Sequence, residues 1–525
     1  MKRRSVSTQE IEQDNDSQKD IRDLAGGALV NLIGKIGRLF KGTFIYMVTF
    51  LFGKHTLGLY EGAWAIISPL QRLATFGLHR GVVRFFVESR VQMDEDQAYR
   101  FLTVAIAMVL FVSITVTGLT AIAIDRIAEF YELPELGETL SIMVWTIPSL
   151  SLTAVLIGAT RALRIMRIDV YVNSILGPLI LLVTGGITGY MGWGLPGLAV
   201  GQVLMGLGSC TVAAYFFTRH FSLQQCWRST KKRLPWSEMV AFSLPNMLND
   251  VLTGILMRLD ILMLNAFVEP TMVGVYALTR RVSSILTKVP ESFDPIFSPV
   301  VSDLAFRNKH QQLGERFKSI ARWTLIITLP LLTGVILAGE QMLLFFDVDS
   351  AISTDTLIIL SAGMAIFGLL APSESLLIMA GKPYRNLLIK ILWLGLYFLL
   401  NYWLIPDYGI FGAALATVIA MNVVSIIRIV QVYTVYRIHP FGLSLLKPMA
   451  AATIAVASVG IGKSLIDMSI FSVNLILFAF FLAVYALVLK LLGLKEEDRM
   501  LLKAMGDGVL NWSRQKNDET QPSVF

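Results

Sequence analysis

Read for hydrophobicity alone, the chain alternates long apolar runs with short polar breaks from residue 24 to residue 492. Runs long enough to cross a hydrocarbon core of about 30 Å, roughly 20 residues each, fall at 24–52, 57–88, 101–124, 139–160, 170–191, 195–218, 237–267, 271–302, 318–338, 355–380, 384–404, 409–436, 447–467 and 470–492. The pattern predicts an all-α, polytopic membrane protein of about fourteen transmembrane helices. Residues 1–23 and 493–525 are polar and charge-mixed and predict two tails with no core of their own.

The runs repeat. Thr56-Leu57-Gly58-Leu59-Tyr60 precedes the span that carries Arg72, and Thr271-Met272-Val273-Gly274-Val275-Tyr276 precedes the span that carries Lys288. At an offset of 216, Gly58 falls on Gly274, Tyr60 on Tyr276 and Arg72 on Lys288. Gly194-Leu195-Pro196-Gly197 falls on Gly409-Ile410-Phe411-Gly412 at an offset of 215. Two anchors at nearly one offset point to duplication of a whole half. Each half holds six spans, an even number, so the copies enter the membrane in the same orientation as parallel repeats. The predicted organisation is a six-helix lobe at 24–218, a basic linker at 219–236, a second lobe at 237–436 and an extra helix pair at 437–492.

Composition agrees: 54% hydrophobic residues, 16% charged residues and a mean hydropathy of +0.63 lie far from a soluble domain. The net charge of +7 gains meaning from its placement rather than from a nucleic-acid partner, and none is expected. Alternate loops hold 29 of the 45 Lys and Arg residues, whereas the intervening loops hold only Lys54 and Arg126. The asymmetry puts both termini in the cytoplasm and makes the helix number even. The two cysteines provide no disulfide framework.

No enzyme motif survives inspection, and an enzymatic role is not expected. Gly460-Ile461-Gly462-Lys463-Ser464 resembles the end of a phosphate-binding loop, but Ala457 stands where its first glycine belongs and the segment is apolar. The five histidines show no metal-ligand spacing, and no cofactor is expected. The informative chemistry is charge at membrane depth, which costs roughly 2.5–3.5 kcal/mol per group on insertion scales and commonly faces a polar cavity. In spans one, two, seven and eight the cations are Lys35, Arg38, Lys41, Arg72, Arg80, Arg258, Arg280, Arg281 and Lys288; the anions are Glu61, Asp250, Asp260, Glu291 and Asp294. Pairing such as Lys288 with Glu291 absorbs part of the excess. The surplus guanidiniums favour a phosphate or diphosphate ligand. Asp250, Asp260, Glu291 and Glu374 are candidate groups for coupling to a proton or a sodium ion.

DILMLNAFVEPTMVGVYALTRRV, AGKPYRN and LIPDYGIFGAALAT together resemble the polysaccharide-biosynthesis flippases of the multidrug/oligosaccharidyl-lipid/polysaccharide exporter superfamily. The resemblance implies two six-helix lobes around a central cavity that opens alternately to either face. It also implies that Arg38, Arg72, Arg258, Arg280, Arg281 and Lys288 line that cavity. The implied substrate is an undecaprenyl-diphosphate-linked oligosaccharide moved to the outer leaflet for O-antigen, capsule or exopolysaccharide. Membrane lipids, a polysaccharide polymerase and chain-length machinery are the expected partners. The rival readings are a cation-coupled multidrug antiporter, which would want an acidic cavity, and a non-transporting assembly protein, which would tolerate loss of its buried arginines.

Overall fold

The computed structural model describes residues 42–163, 165–229, 234–293, 301, 304, 309–344, 346, 348, 351–379, 383–463 and 471–493. Among these the chain is helical and contains no strand. The helices are α1 (42–75), α2 (Leu78–Val91), α3 (Glu95–Tyr131), α4 (Pro134–Met143), α5 (Thr146–Ala162), α6 (Arg167–Tyr190), α7 (Gly194–His220), α8 (Leu223–Ser229) and α9 (Trp236–Leu256). They continue as α10 (Leu259–Phe267), α11 (Pro270–Ser283), α12 (His310–Leu344), α13 (Ala351–Leu370), α14 (Pro372–Met379), α15 (Pro383–Tyr436), α16 (Leu446–Lys463) and α17 (Phe471–Leu491). Eight helices are long and apolar enough to cross a membrane, nine if α4 and α5, bent by 41°, make one span; all are counted among the described residues. The protein is a multi-pass membrane protein, and fourteen spans are consistent with this set.

Several apolar runs that read as single spans are broken where charge or glycine enters. The second run breaks at Phe76 and Gly77, both left-handed with φ of 53° and 65°. Glycine is needed at 77 because a Cβ there would lie 2.7 Å from the Ser243 carbonyl oxygen. The seventh run breaks at Met257 and Arg258, and the eighth passes through a turn at 284–287 before resuming helix at 288–293. A π-helical stretch, Val170–Leu176, interrupts α6. Conversely, the eleventh and twelfth runs join in α15 through Gly409, whose φ is 54°.

By packing, the chain falls into two compact units, 1–281 with 390–417, and 282–389 with 418–525. The first unit is built on a core in which Phe101, Leu102 and Val109 of α3 meet Val155, Leu156 and Ala159 of α5 and Leu78, Val82 and Phe86 of α2. In the second unit α16 and α17 close over α12, with Phe481, Tyr485 and Ala455 against Ile326, Leu329 and Leu337. The Tyr485 hydroxyl donates to the Ile326 carbonyl at 3.2 Å. The extra helix pair therefore buries an apolar face of its own.

The matched halves carry matched geometry within the first unit. Gly194 and Gly409 are both left-handed, at φ of 59° and 54°. Tyr60 donates to Gln202 at 2.7 Å, and Tyr276 lies 3.2 Å from Thr417, which is Gln202 shifted by 215. Gly58 and Gly274 face each other: a Cβ at Gly58 would overlap the Pro270 carbonyl, and one at Gly274 would overlap the Lys54 carbonyl. Lys54 and Pro270 are again 216 apart. Each half thus places its own glycine against the other's backbone, the close approach that small residues permit in lipid.

Candidate functional site

Arg72 is the centre of the site. It projects from α1 toward α9, where Gly254 makes room for it: a Cβ at 254 would sit 2.6 Å from Arg72 Cδ. Beside it is a cavity of about 440 Å³, lined by Gln71, Arg72, Thr75, His79, Arg80, Ala154, Ile157, Arg161, Asn173 and Asp250. That volume lies within the range of about 300–1,000 Å³ typical of ligand sites. Three guanidiniums face it against one carboxylate. Arg80 donates to Asp250 at 2.7 Å and to Asn246 at 3.3 Å. His79 stands 4.0 Å from the other Asp250 oxygen. Arg161 donates to Asp169 at 2.6 Å. Arg72 forms no ion pair among the described residues, so its charge is the one most available to a ligand. An unpaired guanidinium in a low-dielectric wall attracts an anion more strongly than it would in water.

Further along the same unit, the remaining charges satisfy one another. Arg258 lies at the α9–α10 break and donates to Glu61 of α1 at 2.6 Å, with side chains 24% and 9% exposed. Asp260 is fully buried and accepts three bonds, from Arg280 at 2.6 Å, from the Tyr276 hydroxyl at 2.8 Å and from the Ile261 backbone N–H at 2.9 Å. Arg280 also donates to the Met257 carbonyl at 2.7 Å. Thr417 bridges the Tyr276 and Tyr397 hydroxyls, at 3.2 and 2.8 Å. A buried carboxylate with this many donors is held in place. Arg281 lies within electrostatic range of Tyr46.

Three sequence-selected residues belong to the second unit. Lys288 and Glu291 pair at 2.8 Å, as their spacing indicated, but they are 58% and 50% exposed. Glu374 lies 3.2 Å from Arg428, whose side chain is 1% exposed. Arg38 falls outside the described residues, as do Lys35, Lys41 and Asp294. The cavity therefore gathers Arg72, Arg80 and Asp250 from the sequence-selected charges, while Arg258 and Arg280 are engaged with Glu61 and Asp260. Sequence reading missed Arg161, Asp169, Asn173 and His79. Arg161 reads as one of a run of topological cations, and only the four-residue spacing of Asp169 and Asn173 on one helix face hinted at a local pair.

Residues 47–346, more than half the chain, match the family described as polysaccharide biosynthesis protein. The chain belongs to this family. The match contains Arg72, Asp250, Arg258, Asp260, Arg280, Arg281, Lys288 and Glu291, and leaves Glu374 beyond it. The chain is 26% identical over 200 residues to a "Probable flippase AglR" of Haloferax volcanii, covering 37% of this chain and 40% of the relative. It is 24% identical over 169 residues to a "Probable low-salt glycan biosynthesis flippase Agl15" of the same organism, covering 31% and 35%. These alignments span well under two thirds of either relative. Among solved structures, the lipid II flippase MurJ in an inward closed conformation superposes with a TM-score of 0.70 at 14% identity, over 88% of this chain and 97% of MurJ. An inward-facing multidrug resistance MATE family transporter of the MOP superfamily gives 0.67 at 15% identity, over 76% and 94%. This member of the polysaccharide biosynthesis family thus has the fold that MurJ and the MATE transporter share.

Proposed function

We propose that this chain is a flippase that carries a lipid-linked oligosaccharide, held by its diphosphate, across the cell inner membrane for surface polysaccharide synthesis. The observation that carries the reading is the cavity at Arg72, where three guanidiniums meet one carboxylate. A diphosphate offers oxygens that match the guanidinium fork, and of the three cavity guanidiniums Arg80 and Arg161 are each paired with a carboxylate while Arg72 forms no ion pair among the described residues. The family and the flippase names of the two archaeal relatives support the same direction. Arg38 and Arg281 remain in the proposal as candidate contacts for the substrate's phosphates, whereas Arg258, Arg280 and Lys288 are each paired with a carboxylate and are assigned to holding the fold; both termini are cytoplasmic and two six-helix lobes alternate access around the bound head group. The lipid tail stays in the bilayer, no covalent step is required, and polymerase and chain-length proteins receive the product.

A proton or sodium ion coupled to the cycle would bind at a carboxylate that can be released. Asp250 suits that role better than Asp260, because Asp250 lines the cavity and Asp260 is closed in by three donors. Glu291 and Glu374 are the remaining candidates. The reading is tested by lipid-linked intermediate and surface polysaccharide in cells carrying Arg72→Ala, with membrane insertion measured in parallel. Accumulation of the intermediate with loss of surface polysaccharide is expected. Unchanged levels of both in a well-inserted variant would sink it and favour a non-transporting role.

A further inference from the structure

The cavity has a second cationic wall, opposite in origin to Arg72 and built by a different device. Arg161 ends α5, and Asn173 sits in the π-helical stretch of α6; both line the cavity. They are joined by Asp169, one of whose oxygens accepts from Arg161 at 2.6 Å while the other accepts from Asn173 at 2.7 Å. Both carboxylate oxygens are therefore spent on fixing two cavity donors. A π-helical turn widens the helix locally and is frequent at functional sites; here it brackets Asn173, one turn beyond Asp169. Arg72 lies on the wall formed by α1, where no carboxylate among the described residues fixes it.

We infer that Arg161 and Asn173, positioned by Asp169, form a second phosphate subsite, so that the cavity selects a diphosphate head group over a monophosphate. Arg72 takes one phosphate and the Arg161–Asn173 pair takes the other. A monophosphate engages one wall alone and leaves the other set of donors facing water. Asp169 is a positioning residue: it lowers the cavity's net charge, yet it holds the guanidinium and the amide where a second phosphate reaches both. This inference rests on the cationic-cavity reading and makes a separate claim about its selectivity.

The two claims part in one binding experiment on the full-length, detergent-solubilised protein, with farnesyl diphosphate and farnesyl monophosphate as probes and titration calorimetry as readout. The unaltered protein binds the diphosphate more tightly. Arg161→Gln weakens diphosphate binding by about tenfold, the loss expected for a charge-assisted contact, and leaves the monophosphate within about twofold. Arg72→Gln weakens both probes. Asp169→Asn is the decisive variant, since a purely electrostatic cavity would bind the diphosphate more tightly once that negative charge is gone, whereas loss of positioning weakens it. Arg161→Lys, which keeps the charge and gives up the fork, provides a variant less exposed to misfolding and falls between Arg161→Gln and the unaltered protein. Equal loss of both probes in Arg161→Gln, or tighter diphosphate binding by Asp169→Asn, overturns the second subsite and leaves the reading based on Arg72 standing. Failure of the unaltered protein to bind either probe overturns both.

Discussion

At the scale of single residues, the molecule separates charges that hold the fold from charges left for a ligand. Glu61 and Arg258 illustrate the first kind: the carboxylate is 9% exposed and its partner 24%, at 2.6 Å. Removing one member leaves the other desolvated and unpaired, which costs far more than the pair's net contribution. Arg258→Ala is therefore expected to lower stability by on the order of 2–4 kcal/mol, read as a fall in melting temperature of the detergent-solubilised protein. Glu61→Gln with Arg258→Gln together should recover most of that loss. If the double variant is as unstable as Arg258→Ala, the pair is not coupled in the way its geometry indicates. Little of this was legible beforehand. The sequence shows that Glu61 and Arg258 lie in apolar runs, but their meeting across 197 positions depends on the break at Met257 and Arg258, which mean hydropathy does not encode.

At the scale of elements, glycine decides which helices approach closely. The Gly58–Gly274 contact leaves no space for a methyl group, since the overlapping atoms are backbone carbonyls that cannot rotate aside. Gly274→Ala must push α11 from α1 and is expected to cost about 1–3 kcal/mol, as overpacking does. Gly118 in α3 has nothing within 4 Å of the site of a Cβ. Gly118→Ala should be neutral or stabilising by up to about 1 kcal/mol through helix propensity. Opposite signs in a thermal-unfolding series would support the contact, and equal tolerance would refute it. The repeat that places these two glycines was legible, because Gly58 and Gly274 head matching segments. Helix boundaries were less so. A continuous apolar run conceals the turns at 76–77 and 284–287, because hydrophobicity reports burial in lipid and is silent on φ.

At the scale of the whole molecule, the duplicated halves share geometry and differ in charge. At an offset of 216, Asp260 and Arg280 correspond to Phe44 and Trp64, and the Phe44 ring packs edge-on against Tyr60 at 5.6 Å where Asp260 instead accepts from Tyr276. The tyrosine is common to both halves, and in each it reaches the helix that closes the half, through Gln202 or Thr417. One half therefore stabilises its tyrosine with an aromatic neighbour and the other with an ion pair. The apolar pattern made the duplication readable, but the substitution of a charge pair for an aromatic pair has no signature until the partners are seen together. The comparison bears on ion coupling. If Asp260 is a fixed member of a structural pair, Arg280→Gln strands a fully buried carboxylate and should destabilise by on the order of 3–5 kcal/mol. Asp260→Asn with Arg280→Gln removes both charges, keeps the shape of the aspartate and still offers an amide oxygen to Tyr276, so it should regain most of the stability. In the same double variant, translocation measured in liposomes should keep its response to an imposed proton or sodium gradient. Disappearance of that response in a stable double variant would move the coupling role from Asp250 to Asp260, and the charge difference between the halves would then mark the site where energy enters the cycle.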